Sequence, residues 1–94
     1  MDKVTDKKLE KYFKVTEKAL NKVKIAPPKQ THLYKIAEDF LDMAERYFKD
    51  AKHFAKTDKV TAFAALNYAH GWLDAGARIG LFDVGHDNKL FTVD

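Results

Sequence analysis

Residues 62–84, AFAALNYAHGWLDAGARIGLFDV, confine their polar side chains to a narrow stripe. Asn67, His70, Asp74 and Arg78 follow one another at steps of three, four and four, the spacing at which side chains line up along an α-helix. Nearly everything else in the segment is apolar, aromatic, glycine or alanine. A helix apolar over more than half its circumference must be covered on several sides. The chain has 94 residues, enough for one small domain, so two further helices can cover about half of this one and the rest needs the tail, a second copy or a partner.

The rest of the sequence supplies these two helices and the tail. Leu9, Tyr12, Phe13, Thr16, Ala19, Leu20 and Val23 recur at three/four spacing and predict a first helix over residues 5–24, capped by Thr5. Pro27-Pro28 then stops it and forces an extended connector. Thr31 is placed to cap a second, amphipathic helix over residues 32–56, with Leu33, Ile36, Ala37, Phe40 and Leu41 opening its apolar face. Thr57-Asp58 is a turn too short for anything but antiparallel neighbours. Asp58 caps the third helix, predicted over residues 59–82. Residues 83–94 form a turn-rich tail ending in the β-prone Leu90-Phe91-Thr92-Val93, too short for a sheet of its own. The expected fold is an all-α, three-helix antiparallel up-and-down bundle, one domain over residues 1–94, with an extended C-terminal tail.

Composition removes several classes of chemistry. The chain has no cysteine and no serine, so disulfides, thiolate metal sites and serine or cysteine nucleophiles are excluded. No stretch approaches the ~20 apolar residues of a membrane span. The N-terminus has no apolar core of the signal-peptide kind. A cytoplasmic protein without cofactor or metal is expected. The net charge of +3 is uneven. Residues 1–30 carry nine lysines against four acidic residues, residues 31–60 balance at six against six, and residues 61–94 carry two basic against four acidic. Such a gradient can steer an anionic partner.

Residues 64–76, AALNYAHGWLDAG, continuing Arg78-Ile79-Gly80-Leu81-Phe82 and closing on Leu90-Phe91-Thr92-Val93, resemble the archaeal family known as domain of unknown function 357. The resemblance implies a small three-helix bundle of archaeal, cytoplasmic origin. It brings no activity, cofactor or catalytic residue that could be carried across.

Four sets of residues are candidates for a role. The stripe Asn67, His70, Asp74, Arg78 reads as a polar network, with Asp74 orienting His70 and pairing with Arg78 at i, i+4. The same pair supports an alternative, His70 as general base in a hydrolase or ribonuclease-like site. Gly76 and Gly80, at small-xxx-small spacing, predict close helix packing. Gly80 has a second reading, as the mark of an early helix end. Tyr68, Trp72, Ile79, Leu90 and Phe91 predict an interaction surface made of helix three and the tail. Lys7, Lys11, Lys14, Lys18 and Lys22 form a basic face able to meet phosphates, though without the stacking aromatics or arginines of RNA readers. Arg46 and His53 share the Arg-x6-His spacing of HEPN-type ribonucleases, but both fall on the charged side of helix two.

The expected function is a non-enzymatic protein-interaction or self-associating module, with a homo-oligomer or another protein as partner. A nucleic-acid-associated protein and an enzyme are the alternatives.

Overall fold

A computed structural model describes residues 3–93. It contains α1 (Asp6–Lys22), β1 (Lys24–Ile25), α2 (His32–Phe54), α3 (Lys59–Arg78) and β2 (Phe82–Asp83). The three helices form an all-α bundle, and the strands add one short antiparallel bridge, pairing Lys24 with Asp83 and Ile25 with Phe82.

Each helix starts on a side-chain cap. Thr5 Oγ1 accepts from Lys8 N at 3.1 Å, and Thr31 Oγ1 from Tyr34 N at 3.2 Å. The Asp58 carboxylate accepts from Thr61 N at 3.1 Å and from the Thr61 hydroxyl at 2.6 Å. These bonds satisfy amides that a helix N-terminus otherwise leaves unpaired.

The ends come earlier than the periodicity predicts: α1 stops at Lys22, α2 at Phe54 and α3 at Arg78. The last difference matters most. Gly80 takes a positive φ of 86°. Leu81 N donates to Gly76 O at 2.8 Å and Gly80 N to Ala77 O at 3.3 Å. This is the paired-bond C-cap that a left-handed glycine permits. Apolar residues continue beyond it, so periodicity alone runs on through Phe82. The reversal instead carries Phe82 back to pair with Ile25, and Ala26 N extends the bridge by donating to Leu81 O at 2.9 Å.

The core is built of small residues on facing helices. Ala37, Ala44 and Ala51 recur every seventh residue of α2 and are fully buried. Ala62, Ala65 and Ala69 do the same work on α3. Alanine-lined faces let two helix axes approach closely. Larger side chains fill the two ends: Leu9, Phe48 and Leu66 at one, Leu73, Leu81, Phe82 and Phe91 at the other. Phe13 meets Phe48 edge-on at 5.8 Å, and Tyr12 meets Phe63 at 5.0 Å, fixing α1 against the α2–α3 hairpin.

Two carboxylates, the exposed Asp58 and the half-buried Asp87, have pKa values held below their ordinary 3.8. Thr61 does this to Asp58, through its hydroxyl and then its amide. The Leu90 amide does it to Asp87, with Lys89 assisting. A depressed carboxylate stabilises the fold above its unfolded pKa, and that stabilisation is lost as pH falls through the folded value. The thermal midpoint should therefore fall below about pH 4, and Asp58→Asn, which keeps a capping oxygen without the titrating charge, should make that fall shallower.

Candidate functional site

After β2 the chain turns through Gly85 and His86, both at positive φ (62° and 58°). Asp87 Oδ1 then accepts from the amides of Lys89 and Leu90, each at 3.0 Å. This local turn aims residues 90–93 along α3. Leu90 lies in that turn and Phe91 in a bend, where its amide donates to Asp87 O at 3.2 Å, so the tail is not extended throughout as expected. The peptide groups left over, Leu90 O and both of Thr92, must find partners elsewhere. The polar stripe of α3 supplies them.

His70 Nε2 donates to the carbonyl of Leu90 at 2.6 Å. Asp74 accepts from Thr92 N at 2.5 Å, and its second oxygen accepts the Thr92 hydroxyl. Arg78 Nη1 donates to Thr92 O at 2.9 Å. Phe91 points inward between these contacts, 2 % exposed, with the His70 ring stacked over it at 6.0 Å. Phe91 thus anchors the tail while its neighbours Leu90 and Thr92 bond to the stripe.

This changes the reading of the stripe. His70, Asp74 and Arg78 act together, but their partners lie on the tail and not on one another. Asn67, one turn earlier, is exposed and makes none of these bonds to residues 90–93, which strap α3. The atoms a general base and its orienting carboxylate would use are occupied by Leu90 and Thr92.

The glycines also divide differently from the expectation. A Cβ at Gly76 would collide with the Phe82 ring, so the close approach there is to the returning chain and not to another helix. Gly80 is exposed, and nothing lies within 4 Å of where its Cβ would stand. Its role is the helix cap, and close packing at Gly80 does not occur because the helix has already ended.

The residues expected to form an interaction surface separate as well. Phe91 belongs to the core and Leu90 is half-buried beneath the strap contacts. Tyr68 and Ile79 are open to solvent, 56 % and 65 % exposed. Trp72 is half-buried, packed edge-on against Phe40 at 4.9 Å, and its buried indole N–H has no acceptor among the described residues. Tyr68 stacks on Tyr47 of α2 at 4.4 Å with the rings 11° from parallel.

Around Tyr68 lies an uncovered face. Val60 is 68 % exposed, and Ala64, Gly71 and Ala75 are exposed too. Shallow apolar grooves run along its α2 border, one lined by Phe40, Tyr68, Gly71, Trp72 and Ala75, the next by Tyr47, Asp50, Phe54, Thr61 and Ala64. On a 3.6-residue wheel this face is the sector that neither α1, α2 nor the strap covers.

The basic face is exposed throughout: Lys7, Lys11, Lys14, Lys18 and Lys22 all reach solvent. Glu10 lies within it and pairs with Lys14 at 3.4 Å. On α2, Arg46 bonds Asp42 at 2.8 Å and is exposed, as is His53; neither lines a shared cleft. Among the described residues, no helix is long and apolar enough to cross a membrane.

Fold and site together define a three-helix bundle whose third helix is strapped on one side by its own C-terminal segment and bare on another. The family model described as "Protein of unknown function (DUF357)" matches residues 11–82, and the chain belongs to that family. The matched span covers the helices from within α1 and ends at Phe82, before the strap. No curated protein and no solved structure matches the chain.

Proposed function

We propose that this chain is a non-enzymatic protein-interaction module whose working surface is the bare face of α3. The observation that carries the reading is the composition of that face: Val60, Ala64, Tyr68, Gly71, Ala75 and Ile79 are exposed and apolar or small, Thr61 and Asn67 are the uncharged polar residues among them, and charge returns only at Arg78. Exposed apolar residues scattered singly are normal on a folded protein, whereas a contiguous strip along a whole helix marks a contact surface. Tyr68, with its ring held against Tyr47, is a pre-ordered aromatic of the type that anchors interfaces. The tail, expected to share this surface, is committed to the adjoining flank of α3, where it bonds to His70, Asp74 and Arg78.

Ala75→Glu tests the reading. Position 75 is exposed, so the thermal midpoint should stay close to that of the parent, as surface changes usually remain within about 0.5 kcal/mol. Wild-type and Ala75→Glu proteins are used as baits in extract from the native cell. The reading expects at least one protein, a further copy of this chain included, to be retained by wild type and lost with the variant. Identical retention by both baits contradicts it.

A further inference from the structure

Three of the four glycines have a structural reason: Gly76 makes room for Phe82, and Gly80 and Gly85 adopt positive φ. Gly71 has none. It sits in the middle of α3, exposed, and a Cβ there would meet nothing within 4 Å. A glycine in a helix interior costs about 1 kcal/mol relative to alanine, and nothing within the chain offsets that cost. The space it leaves opens outward, onto the bare face.

From this, and resting on the reading of that face as an interface, we infer that its occupant is a second copy of this chain, with the two α3 helices packed antiparallel across a two-fold axis. Thr61, Ala64, Tyr68, Gly71, Ala75 and Arg78 follow at steps of three and four throughout, the a/d spacing of a helix-pairing seam. In an antiparallel pair centred midway between Tyr68 and Gly71, Tyr68 of one copy stands opposite Gly71 of the other, and Ala64 opposite Ala75. The largest side chain of the seam meets its one vacancy, twice by symmetry, which is the self-complementarity that a two-fold contact demands.

Charge selects the same arrangement. Arg78 ends the seam at the C-terminus of α3; one of its N–H groups donates to Thr92 O, and the side chain is otherwise exposed. Its counterpart position, Thr61, is flanked by the Asp58 cap and by Asp50, which lines the groove beside Ala64. Antiparallel pairing therefore brings each guanidinium to two carboxylates of the other copy. Parallel pairing would set Arg78 against Arg78 and leave Gly71 facing Gly71 across a void. The seam from Thr61 to Arg78 is about 25 Å long at 1.5 Å per residue, too narrow on its own for a standard interface. Tyr47 and Asp50 on its α2 border widen it. A reversible dimer follows.

Light scattering across a concentration series gives the first result: the mass should approach twice that of one chain at high concentration and fall on dilution. Gly71→Leu fills the vacancy without touching the fold, so it should leave the circular dichroism spectrum unchanged and weaken pairing by about 100-fold, since a blocked hot spot acts twice in a two-fold dimer. Orientation is read by cysteines, which the chain lacks. In an equimolar mixture, Ala64→Cys and Ala75→Cys should form the mixed disulfide in preference to either homodimer. A wild-type protein that stays monomeric at millimolar concentration overturns self-pairing, while the retention experiment with Ala75→Glu still decides whether the face serves another protein. A dimer indifferent to Gly71→Leu, or one giving 64–64 disulfides, overturns the proposed seam.

Discussion

Phe91→Ala should lower the free energy of unfolding by about 3–5 kcal/mol, the usual cost of truncating a buried phenylalanine. The ring is 2 % exposed and packs with Leu73, Phe82 and Val84. It is also what makes the strap possible. The bonds from His70, Asp74 and Arg78 are each worth about 1 kcal/mol net, while ordering each tail residue costs about 1–2 kcal/mol. Polar contacts alone do not hold residues 90–93 in place; the buried ring supplies the difference. Small domains are stable by only about 5–15 kcal/mol, so this one truncation removes a large share. Urea denaturation of the full chain measures it, and a loss below about 1 kcal/mol would show that Phe91 is not the anchor.

Gly76→Val is the second large effect, with an expected loss of about 3 kcal/mol. Two contributions add. The new side chain collides with the Phe82 ring, which is itself buried and boxed in, and overpacking of this kind costs about 1–3 kcal/mol. Relief of the collision requires Phe82 to move, which strains its pairing with Ile25. Gly71→Ala is the control on the same helix. With open space at that position, it should gain up to about 1 kcal/mol in monomer stability from helix propensity. Opposite signs at two glycines five residues apart separate the glycine the fold requires from the one it does not. Equal effects at both would contradict that division.

Much of the architecture is legible in the residues themselves. Thr5, Thr31 and Asp58 cap the helices where a short polar side chain precedes an apolar period. The helix termini are less legible, because apolar spacing does not register a left-handed residue. Leu81 and Phe82 extend the pattern of α3, yet Gly80 has already reversed the chain. The β1–β2 bridge has only two residues on each side, below the length at which alternation carries a signal.

The site divides along similar lines. The spacing of His70, Asp74 and Arg78 correctly places them on one line of the helix, but spacing cannot say whether three polar side chains bond one another or a third party. The missing clue lies in the tail. Residues 90–93 are too few for a sheet, and Leu90 O and the peptide groups of Thr92 need partners. Asking where those groups bond leads back to the stripe. The bare face escapes a reading centred on bulky residues because half of it is Ala64, Gly71 and Ala75, whose significance depends on the absence of anything above them.

The chain's own tail occupies one flank of α3, through His70, Asp74 and Arg78, and leaves the face beside it bare. Amide hydrogen exchange at Thr92, followed by NMR in the 94-residue chain, tests this arrangement most directly. Thr92 N–H bonded to Asp74 should exchange far more slowly than in a free peptide. Asp74→Ala should release it while the amides within α1, α2 and α3 keep their protection. A Thr92 amide that exchanges at the free-peptide rate in the wild-type protein would contradict the account.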